Sequence, residues 1–407
     1  MVVMEERKIK GIQIARTQQI RKTDKGYIVP SQSGKGTYVV FENKLFPNIK
    51  ECTCPDYELR KQPCKHVFAI QYILTKEVDA EGNITITQVK RITYAQDWKN
   101  YNKAQINEKD MFLKLLHDLC ENVEEPQYKF GRPTLPLADM IFSSALKVYT
   151  GFSLRRFMSD MRMAKGKQYI ANDCTYVSVS NYMRKEELTP ILHRLIALSA
   201  QPLIAVEERF AVDSSGFRST KFNEYMKQRF HLQKEHDWIK LHVCCGTKTN
   251  IVTAVQVDMG ADSPQFIPLI QETVDNGFII KEMTADKAYN SVDNYNAIQQ
   301  VGGQAYIPFK SNATGTSDRS KGNKARLWRK MFHYFQLNQD DFLSHYHARS
   351  NVESTFNMVK SKFSDLVRSK DNVAQENELL LKILCHNIVV LIHESFELGI
   401  NIQSLGA

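Results

Sequence analysis

Apolar positions change their spacing twice along the chain, and the changes mark out three stretches. The first has short extended runs, Gly26-Tyr-Ile-Val29 and Thr37-Tyr-Val-Val-Phe41, parted by the turn-rich Pro30-Ser-Gln-Ser-Gly-Lys-Gly36, which predicts two strands. A helix is expected over His66–Leu74, and then a polar, mixed linker with one hairpin strand at Asn83–Thr87. From Asn107 the period becomes helical, with Met111, Leu115, Leu116 and Leu119 on one face. Beyond the break at Gly131-Arg-Pro-Thr-Leu-Pro136, helices are expected near Leu137–Tyr149, Leu154–Met163 and Thr189–Leu198.

The third stretch begins near Pro202 and mixes both periods. Leu203–Val212 predicts a strand; Trp238–Cys245 and Asn250–Asp258 predict a hairpin turning at Gly246-Thr-Lys-Thr249. A helix over Pro268–Asn276, a strand over Phe278–Ala285, a helix over Val292–Gln300 and a closing strand over Ala305–Phe309 follow. The last long segment places Leu379, Leu380, Ile383, Leu384 and Ile388 on one helical face, as core packing requires.

Composition narrows the class. At 407 residues and 43% hydrophobic, the chain can bury two or three cores and is not a disordered protein. A formal charge of +9 favours a polyanionic partner without choosing between nucleic acid and acidic membrane. The start lacks an apolar signal core, and no uncharged run approaches the ~20 residues that span a bilayer. An intracellular protein with no membrane partner is therefore expected, and its scattered cysteines, Cys120, Cys174, Cys244, Cys245 and Cys385, are expected to be small core hydrophobes.

The remaining three cysteines sit in Cys52-Thr-Cys54-Pro-Asp-Tyr-Glu-Leu-Arg-Lys-Gln-Pro-Cys64-Lys-His66. Residues two apart on extended chain point the same way, so Cys52 and Cys54 can reach one metal. With Cys64 and His66 they fill a tetrahedral shell that leaves no position for water, so the ion is expected to be one structural Zn²⁺. The pattern, with Pro55 and the Cys-Lys-His-Val ending, resembles the SWIM zinc finger. Contact with DNA or with protein both remain open for it.

The stretch Tyr346-x2-Arg349-x3-Glu353-x6-Lys360 carries denser chemistry. On a single α-helix these side chains fall within roughly an 80° arc, a carboxylate flanked by two cations and a phenol. A carboxylate can hold a divalent ion, while Arg and Lys hold phosphate oxygens as a fork and as a point charge. The competing reading is a capping box, Ser350-x-x-Glu353, with Tyr346 and Arg349 lying before the helix. Two upstream aspartates, Asp213 in Phe-Ala-Val-Asp-Ser-Ser-Gly-Phe217 and Asp286 in Met-Thr-Ala-Asp-Lys-Ala-Tyr289, each end a short apolar run and supply partner acids.

These three segments together resemble the acidic motifs of DDE transposases of prokaryotic insertion sequences, in the group marked by a Tyr-Arg-Glu-Lys signature; the run Asn377–Ile388 resembles that group's closing helix. The resemblance implies an α/β fold with an RNase H-like core, a mixed five-stranded sheet with helices, in which two aspartates end adjacent strands and the glutamate comes from a late helix. It further implies Asp213, Asp286 and Glu353 as catalytic ligands of two Mg²⁺ (or Mn²⁺) ions, and Tyr346, Arg349 and Lys360 as phosphate-positioning residues. The implied partner is double-stranded DNA, both transposon terminal repeats and target, bound by a homodimer in the nucleoid-associated cytoplasm of a prokaryote. A catalytically silent regulator and a nuclease that does not join strands are the rival classes.

Expected domains are a zinc finger at 1–78, a linker at 79–105, a helical DNA-binding domain at 106–201 and the catalytic domain at 202–407. In the helical region, Ser153–Lys167 forms a basic helix and Thr175–Tyr182 with Arg184 and Lys185 a second candidate DNA surface. The basic run Asp318–Lys330, with Trp328 as a stacking side chain, is expected beside the site, whereas Asp258, Asp262 and Asp275 lack matching motifs and are set aside.

Overall fold

In a computed structural model the chain forms two compact units, Met1–Gln96 and Asp97–Ala407. Described residues of the smaller unit are 7, 9–11, 13–15, 18, 20–23, 26–31, 36–42, 50–78 and 84–88; those of the larger are 97–127, 130–131, 134–219, 238–314 and 319–402.

The smaller unit is an antiparallel sheet, β1 (Arg21–Thr23), β2 (Gly26–Pro30), β3 (Thr37–Glu42) and β4 (Lys50–Cys52), followed by α1 (Pro55–Arg60) and α2 (Lys65–Ile73). Pro55 opens α1, where its missing N–H costs nothing, and Lys61 closes it at φ 52°. The expected strand after α2 is present and paired: β5 (Leu74–Val78) with β6 (Ile84–Gln88).

In the larger unit α3 (Trp98–Cys120) begins inside the expected linker, its first turn capped by the Asp97 carboxylate on Asn100 N. Leu115, Leu116 and Leu119 bury the predicted stripe together with Phe112. α4 (Leu137–Thr150) is buried along Met140–Val148 and ends at Gly151, whose φ of 66° only glycine adopts freely. α5 (Leu154–Gly166), α6 (Tyr176–Tyr182) and α7 (Leu188–Ala200) complete the helical region. Its buried side chains are continuous with those of the sheet, so no core boundary falls at 201/202.

The sheet contains β7 (Arg209–Arg218), β8 (Trp238–Gly246), β9 (Val252–Val257), β10 (Glu282–Ala285) and β11 (Gln304–Tyr306), in spatial order β11-β10-β7-β8-β9. The first three form an antiparallel meander, and β10 and β11 lie parallel to β7. This is the strand order of an RNase H-like core. α8 (Asp262–Asp275) and α9 (Val292–Gln300) make the crossovers. α8 starts six residues before the expected Pro268, which sits inside it; β10 starts late because Phe278–Lys281 leave the helix through Gly277 at φ 90°.

α10 (Arg326–Leu337) and α11 (Gln339–Tyr346) follow, then one 3₁₀ turn, His347–Arg349, then α12 (Ser350–Phe363) and α13 (Asn372–Glu397). α13 is long and apolar enough to cross a membrane, yet it lies in the core between α3, α4, α7 and β9. Its polar residues tie that core together. Asn387 donates to Val252 O (2.8 Å) and accepts from Val252 N (3.0 Å), covering the free edge of β9 as another strand would. Asn377 donates to the carbonyls of Met183 and Lys185, and His386 Nε2 lies 2.9 Å from Asn250 O.

Candidate active site and metal centre

The register of the sheet brings the two aspartates side by side. Ala285 is opposite Val212 in the parallel β10–β7 pair, so the next residues, Asp286 and Asp213, project to the same face of neighbouring strands. Asp213 Oδ1 accepts from Ser214 N (2.8 Å), and Asp286 Oδ1 accepts from Lys287 N (2.6 Å). Burial raises the proton affinity of Asp213; Ser214 N–H and Arg349 oppose this, and Asp286 reinforces it.

A 3₁₀ turn interrupts the α-helix ahead of Glu353. Tyr346 ends α11, Arg349 stands one residue before α12, and only Glu353 and Lys360 lie within α12, so the four side chains do not share one continuous α-helix. The capping-box reading also fails, because Ser350 Oγ donates back to His347 O and Glu353 reaches Arg349 instead of a backbone donor. Arg349 is the hub: one guanidinium nitrogen lies 2.8 Å from Asp213 and the other 2.8 Å from Glu353. Burial would lower its basicity, but Asp213, Tyr346, Glu353 and Asp286 outweigh that. Tyr346 has its phenol pushed up by burial, with Arg349 opposing.

Lys360, two turns beyond Glu353, donates to Ser215 Oγ (2.7 Å) and covers the Phe217 ring. Burial lowers its proton affinity. α12 is seated by buried Val352, Phe356 and Val359, and by Lys362, which binds the Glu108 carboxylate on α3 at 2.6 Å.

Asp262, set aside on sequence grounds, lies against the site. It accepts from Ser214 Oγ (2.6 Å), pairs with Lys240 (2.5 Å), and is 3.6 Å from His242 Nδ1. Ser214 thus links it to Asp213, and with the helix expected to begin only at Pro268 the sequence carried no signal for it. Trp328 is the clear correction: it is buried, stacks on Phe332 and donates from its indole N–H to Asn290 Oδ1 (2.8 Å), so it does not stack on a base. Lys324, Arg326 and Lys330 around it are exposed, while the side chains of Arg319 and Lys321 lie outside the described residues.

Among the described residues, one group of three or more His, Cys, Asp or Glu has all its ligand atoms within 4.8 Å of one another: Cys52, Cys54, Cys64 and His66. His66 Nδ1 is 3.7 Å from Cys52 Sγ and 3.8 Å from Cys64 Sγ, and all four residues are buried. The Cys64 thiol is pushed down to about 4, chiefly by its hydrogen bond with Cys52 and also by His66. Three sulfurs and one nitrogen converging in this way fit a zinc ion. The three acids do not meet the same spacing. Their oxygen donors suit a hard divalent ion, and the place of a cation between Asp213 and Glu353 is held by the Arg349 guanidinium.

The chain gives no match among curated proteins or solved structures. Family models match it twice: the transposase DDE domain over residues 205–388 and the SWIM zinc finger over residues 45–70. The first interval runs from the strand of Asp213 to the part of α13 that caps the sheet, and the second encloses the four zinc ligands. Over residues 205–388 the chain is therefore a DDE transposase domain, and ahead of it stands a SWIM zinc finger.

Proposed function

We infer that this transposase domain cuts DNA at the ends of a mobile element and joins the freed 3′-hydroxyls to target DNA. The observation that carries this is the placement of Asp213 and Asp286 on adjacent parallel strands, with Glu353 tied to Asp213 through Arg349. Asp213, Asp286 and Glu353 would hold Mg²⁺ or Mn²⁺, which supplies activation of the attacking oxygen and stabilisation of the leaving one. Arg349, once released from the carboxylates, offers its planar fork to a phosphate. Lys360, on Ser215, and Tyr346, beside Arg349, would add a point charge and a phenol. The partners are double-stranded DNA at the terminal repeats and target, engaged by a homodimer in the cytoplasm of a prokaryotic host. Catalysis belongs to the sheet unit, and the zinc is structural.

Incubating the purified protein with Mg²⁺, a labelled element end and a supercoiled plasmid tests this. Label should become joined to plasmid; release of cut ends with no joined product would make the protein a nuclease. Asp286→Ala should lose all cutting while holding end DNA as well as the parent does, because Asp286 is outside the core and its backbone donor bond is local.

A further inference from the structure

A second concentration of positive charge shares no residue with the acid pocket. A cavity of about 250 Å³ opens between the end of α4, the start of α5, the end of α6 and the loop leading into α13. Lys147, Arg184, Arg368 and Lys370 line it with the hydroxyl-bearing Ser153 and Ser180, and no acidic residue is among its lining residues. Lys147 is 6% exposed, and its ammonium makes no hydrogen bond or ion pair with a described residue. Buried cations ordinarily have a counter-ion or a set of acceptors.

The neighbouring carboxylate, Glu378, favours the charged form of Lys147 but is not within ion-pair distance of it. Glu378 is engaged by the loop, accepting from Arg368 N (3.0 Å), Ser369 N (2.8 Å) and Ser369 Oγ (2.7 Å). Those bonds hold Arg368 and Lys370 at the rim. Lys382, close behind, gives its protons to the carbonyls of Ser364 and Leu366. Burial lowers the basicity of Lys147; Glu378 opposes that and Arg368 adds to it, so cations crowd one carboxylate. Four basic side chains thus line the cavity with no acid among its walls.

We propose that this cavity binds one backbone phosphate of the DNA duplex, an anchor distinct from the three acids. Its volume is below the ~300–1,000 Å³ of sites that enclose a whole small molecule, which suits a single phosphate on a larger ligand. The two surfaces that flank it, Ser153–Lys167 and Thr175–Lys185, carry further exposed Arg and Lys. That DNA is the source of the phosphate rests on the function inferred above; the anion site itself does not.

Anisotropy of a short fluorescein-labelled duplex, titrated in EDTA over roughly 50 to 200 mM salt, tests the assignment. Lys147→Met should weaken binding about tenfold and reduce the slope of log K against log salt by about 1. Because Lys147 is buried, the double variant Arg368→Gln with Lys370→Gln, both exposed, is measured beside it, and thermal melting confirms that each is folded. Unchanged affinity and slope in the folded double variant overturn the proposal. Inorganic phosphate separates the sources. Competition with duplex in the parent but not in Lys147→Met supports a DNA phosphate; stabilisation by phosphate with no effect on duplex binding overturns it in favour of a free anion. As no metal is present, a protein that binds DNA through this cavity yet never joins strands retracts only the transposition reading.

Discussion

Arg349 donates to the Asp213 carboxylate across 2.8 Å from a position one residue ahead of the helix that carries Glu353. A cation already seated between two acids must leave before a metal ion can be held there. Charge-assisted hydrogen bonds of this kind contribute roughly 1.5–3 kcal/mol each. Arg349→Gln should therefore bind Mn²⁺ about tenfold more tightly, measured by electron paramagnetic resonance of the free ion. Equal or weaker Mn²⁺ binding would show that Arg349 does not compete with the metal.

The zinc cluster holds a small core together. Among the described residues that core has ten buried apolar side chains, of which Cys52, Cys54 and Cys64 are themselves the metal ligands. A metal that ties three of these side chains together acts as a staple for a small unit. Cys52→Ser should abolish stoichiometric zinc and open Met1–Gln96 to protease, while Asp97–Ala407 keeps its melting temperature. A protease-resistant small unit lacking zinc would refute this.

Asn387 pairs with both backbone groups of Val252 and also donates to Ser199 Oγ (3.0 Å). Asn387→Ala would leave a buried N–H and carbonyl unpaired, at a cost of about 2–4 kcal/mol. Urea denaturation should show the midpoint falling with little change in slope. Asn387→Asp, which keeps the acceptor and buries a charge, should be no better.

His386 is buried against Asn250 O, and burial pushes its imidazole down to about 4 from an ordinary 6.5. Its neutral form belongs to the fold, so the unfolded chain takes up the extra proton between those values. The contribution is complete above about 6.5 and is lost as pH falls toward 4, on the order of 3 kcal/mol. Melting temperature should drop over that window, and His386→Gln, which can still donate to the carbonyl, should flatten the drop.

The zinc set could be read from the chain because it depends on short-range spacing, ligands two apart at Cys52–Cys54 and Cys64–His66; the five-stranded core and the two aspartates on adjacent strands followed only from the resemblance of the acidic motifs, since strand order is set by long-range pairing. What escaped was set by distant contacts. Asp262 meets Ser214 and Lys240 only after α8 crosses the sheet, and Trp328 is taken inward because Phe309 and Phe332 offer it rings to pack on. The 3₁₀ turn at His347–Arg349 has no Pro or Gly to announce it, and it lies beside the packing of α11 on the sheet edge, where His345 reaches Glu282 and stacks on Tyr306.

α13 touches the helical region along one side and the end of the sheet along the other, and Lys362 fastens the glutamate-bearing helix to α3 besides. A ruler is thereby built into the molecule. On the function proposed above, the stretch from a duplex held by the helical region to the bond cut at the acids would be fixed by this packed helix, so lengthening that DNA by half a helical turn would present the wrong side of the backbone to the acids.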